Sequence, residues 1–157
     1  MTVLANGGTH LSGPVLVIGT GLLGASIGLG LRARGIDVVL SDISPSTAAV
    51  AKDIGAGRLL QDAEPGFAPQ LVVVAAPPDV TASLAAQALK DWPAAVVVDI
   101  ASVKSAVLAD LRATGADLSR YVGTHPMAGR EKSGPVAALG NLFTSMPWVI
   151  CAAEESS

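Results

Sequence analysis

The feature that most constrains this chain is its uncharged opening, because no Asp, Glu, Lys or Arg occurs from Met1 to Leu31. Pro14 to Leu31 is long enough to be weighed as a membrane span. Gly24 and Gly28 in it form a G-x-x-x-G pair, which in a membrane packs helices together. Composition argues otherwise. The segment holds Gly19, Gly21, Gly24, Gly28 and Gly30, too much glycine for one stable helix. No basic region precedes it, so it does not read as a secretory signal. It divides instead into a short apolar β-branched run (Val15 to Ile18), a glycine turn, and a helix from Leu22.

The rest of the chain can bury what this opening exposes. Its 157 residues suit one domain with a real core. Half are hydrophobic and 15% charged, which excludes intrinsic disorder. A net charge of −3 gives no electrostatic footprint for nucleic acid. The single cysteine, Cys151, excludes an internal disulfide framework and a cysteine-rich zinc site, and it reads as a small buried group. No His, Cys, Asp or Glu spacing points to a metal.

Strand and helix patterns alternate along the sequence. Helix Leu22 to Arg34 is ended by Gly35, and Ile36 to Leu40 is a strand. Ser44-Pro45 starts a helix, with Ser44 as N-cap and Pro45 in the first turn. Short strand Arg58 to Leu60 follows, then a loop, then buried strand Leu71 to Ala75, stopped by Pro77-Pro78. Helix Asp79 to Lys90 presents Val80, Leu84 and Ala88 on one face. Strand Ala95 to Ile100, helix Val103 to Ala113 and two short strands at Tyr121-Val122 and Trp148 to Ile150 complete the pattern. The expected fold is α/β: a doubly wound, mostly parallel sheet of the Rossmann dinucleotide-binding type.

Gly19-Thr20-Gly21-Leu22-Leu23-Gly24 is G-x-G-x-x-G between a strand and a helix, the context that gives the motif meaning. Gly19 allows the tight turn, Gly21 lets a pyrophosphate approach the backbone, and Gly24 lets helix and strand pack closely. The helix N-terminus offers N–H groups to the phosphates. Asp42 stands 18 residues after Gly24, where an acid is expected to accept hydrogen bonds from an adenosine ribose. No arginine follows closely, so NAD is favoured over NADP. The alternative is that Asp42 caps the turn into Ser44-Pro45.

Three later segments follow strands at the edge where such a sheet builds its site: Ala75 to Pro78, Asp99 to Lys104, and Gly123 to Glu131. Packing accounts poorly for a histidine set between a strand end and a proline. Together these segments resemble the prephenate and arogenate dehydrogenase family of tyrosine biosynthesis. The resemblance runs from Val15 to about Ile150 and rests most on D-x-x-S-V-K and on H-P-M-A-G-x-E-x-S-G from His125 to Gly134. Phe143 and Trp148 also fit the family's pattern.

The resemblance implies NAD(P)-dependent oxidative decarboxylation of a cyclohexadienol acid, prephenate or arogenate. It implies that His125 hydrogen-bonds the ring hydroxyl and that Ser102 lies beside the nicotinamide. It implies that Glu131 orders the substrate end of the pocket and that Ala76 and Pro77 line the nicotinamide ribose. From the residues alone, Ser102 could equally be a helix N-cap, and Lys104 either reaches an anion or is a solvated first-turn lysine. A neutral imidazole can accept the hydroxyl's hydrogen bond near neutral pH.

Family members are about twice this long, and the resemblance implies a helical second domain that dimerises and supplies an arginine for a substrate carboxylate. Neither Arg130 nor Lys132 matches that arginine. Each such charge-assisted bond contributes about 1.5–3 kcal/mol, so substrate binding to this chain is expected to be weak. The expected organisation is a tail (1–13), an NAD-binding domain (14–151) and a linker toward the absent domain (152–157). The chain is expected in the cytoplasm, as a monomer or weak dimer. Rival readings are a β-hydroxyacid dehydrogenase or imine reductase of the same architecture, or a non-catalytic NAD-binding module.

Overall fold

A computed structural model describes residues 11–128 and 131–154. The tail up to His10, Arg130 and the last three residues of the expected linker lie outside the described residues. The elements are β1 (Val15–Ile18), α1 (Leu22–Arg32), β2 (Val38–Ser41), α2 (Pro45–Asp53), β3 (Arg58–Leu59), β4 (Leu71–Val74), α3 (Pro78–Asp91), β5 (Val96–Asp99), α4 (Lys104–Ala113), β6 (Tyr121–Pro126) and β7 (Trp148–Cys151). They form one seven-stranded sheet in the order β3-β2-β1-β4-β5-β6-β7. All neighbours are parallel except β6 and β7. The doubly wound, mostly parallel α/β fold expected from the sequence is the one observed.

Strand alternation divides the core into two layers. Leu16, Val39, Val72, Val74 and Val97 pack with Ala85, Ala88, Val107 and Leu111 of α3 and α4. Val15, Val17, Val38, Leu40 and Val73 pack with Ala25, Ile27 and Ala51 of α1 and α2. β1 is therefore sealed on both faces, as its unbroken apolar run requires. Among the described residues no helix is long and apolar enough to cross a membrane, and α1 is 11 residues long. Its buried residues are Gly24, Ala25, Ser26, Ile27 and Gly28, mostly small because it lies close on the sheet and on Ala56.

Several local expectations change. α3 buries Thr81, Ala82, Ala85, Ala88 and Leu89, while Val80 is exposed. The helix lies close enough to the sheet that small residues make up most of the buried face, with Leu89 the one large apolar side chain in it. Ser44 caps α2 as expected, its Oγ accepting from Thr47 N at 3.3 Å. Ser102 does not cap α4, whose N-cap is Val103 without a side-chain cap bond. Cys151 is exposed, since β7 is the outer strand and all four of its residues face solvent. Residues 12 and 13 of the expected tail are tied to the sheet, with Ser12 N and Gly13 N donating to Gln70 Oε1 at 3.1 and 2.7 Å.

The largest departure is β6. Ile18, Val74, Asp99 and Gly123 pair across the sheet and mark its C-terminal edge. β6 continues past that edge through Thr124, His125 and Pro126, paired only with β7. His125 thus lies within a strand rather than after one. It stands two residues beyond Gly123, about 7 Å at strand rise. The connection from β6 to β7 crosses back over the sheet, where the 3-10 turn Pro135–Ala137 packs on α1 and α2 and Leu139 N donates to Ser26 Oγ at 3.0 Å.

Candidate active site

β1 and β4 are neighbours whose following helices lie on opposite faces, so a crevice opens above their ends. The glycine turn forms one wall. Gly19 has φ +94°, and a Cβ there would meet Ala75 O at 2.5 Å. A Cβ on Gly24 would fall 1.8 Å from Gly19 O, so α1 can start so near β1 only with glycine at that position. Gly21 differs, since a Cβ there meets nothing within 4 Å. Its surroundings are open on the side where a ligand would approach.

The first bond within α1 is Ala25 N to Gly21 O at 3.0 Å. The amides of Leu22, Leu23 and Gly24 precede it and are left as donors at the positive end of the helix. The first turn carries no acidic residue to repel an anion. These backbone groups fit a pyrophosphate.

Asp42 follows β2 and leans back over the turn. Its Oδ2 accepts from Thr20 N at 2.7 Å and Thr20 Oγ1 at 2.9 Å, and its Oδ1 accepts from Ser44 N at 2.8 Å. Asp42 thus closes the turn into Ser44, one of the two alternatives left by the sequence, and also grips the glycine turn. A carboxylate offers about four acceptor sites, so these three bonds leave capacity for one more. Thr20 is fully buried and turns its side chain to Asp42. Across the crevice Pro77 is exposed as the N-cap of α3, and Thr81 Oγ1 donates to Pro77 O at 2.9 Å.

The far end of the crevice is built by the loop after β5 and by β6. Ser102 is exposed at the tip of that loop. Lys104 is not a solvated lysine, because its ammonium pairs with the fully buried carboxylate of Asp99. Asp99 also accepts from Ala101 N at 3.0 Å and from Tyr121 OH at 2.7 Å. Burial, reinforced by the hydrogen bond to Asp99, pushes the Tyr121 phenol well above its ordinary range, so it remains a proton donor. Thr124 Oγ1 donates to Asp99 O at 2.6 Å. His125 Nδ1 is buried with no hydrogen-bond partner among the described residues. Glu131 is exposed, and among the described residues no hydrogen bond joins it to Ser102 or His125.

The fold thus brings Gly19 to Gly24, Asp42, Ala76 and Pro77 around one crevice and sets Ser102, in the loop after β5, and His125, on the adjacent strand β6, at the same edge. Asp99, Tyr121 and Thr124 lie in segments the sequence singles out, but the sequence alone assigns them no role. A lone acid ending the all-valine run of β5, and the chain's single tyrosine, were the available signals.

Residues 27–157 match the family described as "Prephenate dehydrogenase, nucleotide-binding domain". The chain belongs to the prephenate dehydrogenase family. The match starts after the glycine turn, so that motif stands as separate support. The chain is 43% identical over 135 residues to "Probable prephenate dehydrogenase NovF" of Streptomyces niveus, covering 86% of this chain and 36% of that protein. The crystal structure of prephenate dehydrogenase from A. aeolicus, in complex with hydroxyphenyl propionate and NAD+, superposes with a TM-score of 0.79 at 27% identity, over 92% of this chain and 52% of that one. Synechocystis arogenate dehydrogenase superposes with a TM-score of 0.77 at 26% identity, over 92% of this chain and 51% of that one. This member of the prephenate dehydrogenase family therefore spans about half, or less, of the length of these relatives.

Proposed function

We propose that this chain is the cofactor-binding half of a cytoplasmic NAD-dependent prephenate dehydrogenase, with arogenate as the alternative substrate. The observation that carries the reading is the placement of His125: a strand lifts it past the sheet edge beside the Ser102 loop, along the same edge as the open glycine turn. The amides of Leu22, Leu23 and Gly24 would hold the pyrophosphate, and Asp42 would accept from the adenosine ribose and repel a 2′-phosphate. Ala76 and Pro77 would line the nicotinamide ribose, with Ser102 beside the nicotinamide.

The cofactor supplies a hydride acceptor. The chain's contribution is position and proton handling. His125 accepts the hydrogen bond of the ring hydroxyl and withdraws its proton as positive charge builds on the carbon losing hydride. Ser102 orients that hydroxyl, and Glu131 orders the substrate end once a ligand is present. Loss of carbon dioxide makes the ring aromatic and drives the reaction.

The purified chain is expected to bind NAD+ in calorimetric titration and to show little or no prephenate-dependent NADH formation by itself. It is expected to sediment as a monomer or weak dimer. Failure to bind NAD+ would refute the cofactor assignment, and robust turnover would refute the assignment of substrate anchoring to another domain.

A further inference from the structure

A carboxylate with no solvent exposure must be neutralised and fully hydrogen-bonded, or it costs far more than it contributes. Asp99 meets that demand with partners from two directions. Ala101 N and the Lys104 ammonium belong to the segment that carries Ser102. Tyr121 OH and Thr124 Oγ1 belong to the strand that carries His125, one bonding the Asp99 side chain and the other its backbone oxygen. The β5–β6 ladder ends at Asp99 and Gly123. Above that level these bonds tie the loop to the strand.

We infer that Asp99 is a positioning residue of the reaction site, holding the Ser102 loop at a fixed height against β6 through Lys104 on one side and Tyr121 and Thr124 on the other. This rests on the reading of Ser102 as a neighbour of the nicotinamide. A cut in the tie lets the loop drift, and drift of about 1 Å is enough to spoil a positioned contact. The adenosine end, held by the glycine turn and Asp42, shares none of these bonds.

The test compares NAD+ with ADP-ribose, which lacks the nicotinamide, on the unaltered chain and on Asp99→Asn, Tyr121→Phe and Ser102→Ala. ADP-ribose affinity is expected to stay within about two-fold in all variants, which shows that the fold and the adenosine end are intact. The ratio of NAD+ to ADP-ribose affinity is expected to shift by about five-fold or more in Asp99→Asn and Tyr121→Phe, in the direction given by Ser102→Ala. If Ser102→Ala shifts the ratio and the other two do not, the positioning role is overturned alone. If Ser102→Ala leaves the ratio unchanged, its placement at the nicotinamide falls and the inference with it. If the unaltered chain binds neither nucleotide, the cofactor reading fails first. Should Asp99→Asn not fold, Tyr121→Phe decides, because it keeps the Asp99–Lys104 pair.

Discussion

Raising the pH should weaken this domain through one side chain. Tyr121 is 2% exposed and donates to Asp99, and its phenol is held well above the ordinary value of 10.0. The unfolded chain releases that proton near pH 10, whereas the folded chain retains it. A group whose folded pKa is raised contributes stability that is fully present below the unfolded pKa and is lost as pH climbs above it. For one such group the loss is about 1.4 kcal/mol at pH 11 and about 2.7 kcal/mol at pH 12. At this chain length that is a fall in Tm of about 3–6 °C by pH 11. Tyr121 is the only tyrosine, so tyrosinate absorbance reports it without interference. The folded chain should show no tyrosinate at pH 11, and it should appear as the chain unfolds. Tyr121→Phe provides the reference. It is expected to be about 1.5–3 kcal/mol less stable near neutral pH, because a buried carboxylate loses a donor. Between neutral pH and pH 11 the gap should narrow by about 1.4 kcal/mol, since the variant has no phenol to ionise. Tyrosinate absorbance rising near pH 10 in the folded chain, or a gap that stays constant, would refute the reasoning.

The two inner glycines of the turn should separate folding from binding. Gly24→Ala places a Cβ 1.8 Å from Gly19 O and should leave little folded chain on expression, as judged by circular dichroism. Gly21→Ala meets nothing within 4 Å, so it should fold at a cost of about 1 kcal/mol or less yet weaken NAD+ binding by about ten-fold, measured by titration. Asp42→Asn should reduce the preference for NAD+ over NADP+ by about ten-fold, since it removes the charge that opposes a 2′-phosphate; an unchanged ratio would place discrimination elsewhere. Leu111→Ala, at a site with no exposure under α4, should cost about 2–5 kcal/mol in urea unfolding while NAD+ affinity is retained.

What could be read from the sequence was local. Val15 to Ile18, the glycine turn and Leu22 onward declare strand, turn and helix because the hydrophobic period changes at Gly19, and Ser44-Pro45 announces α2 through its own side-chain chemistry. The candidate site was legible as residue types near strand ends, Asp42, Ser102 and His125. What was hidden depends on partners distant in sequence. β6 looks two residues long because His125 and Pro126 resemble a loop, and only pairing with β7, across Val149 and Trp148, extends it. Asp99 and Lys104 meet only after the loop has turned, so no helical or strand period relates them. Cys151 looks buried until β7 is seen to be the outer strand. The buried face of α3 is not the one Val80 marks, because burial there follows closeness to the sheet, which favours Ala82 and Ala85 over the larger Val80.

The ribbon that carries His125 beyond the sheet has a mechanical consequence. His125 and Val149 are direct ladder partners, and Met127 N donates to Pro147 O at 2.8 Å to close the top of the ribbon. In an antiparallel ladder the bonds recur at alternate residue pairs, so the two strands of the ribbon are held in register along its length. Trp148 to Cys151 form the outer rim of the sheet and face solvent. The rim is therefore the handle of a lever whose other arm is the imidazole. A shift of this border is therefore expected to change the height of His125 over the crevice without any contact in the crevice itself.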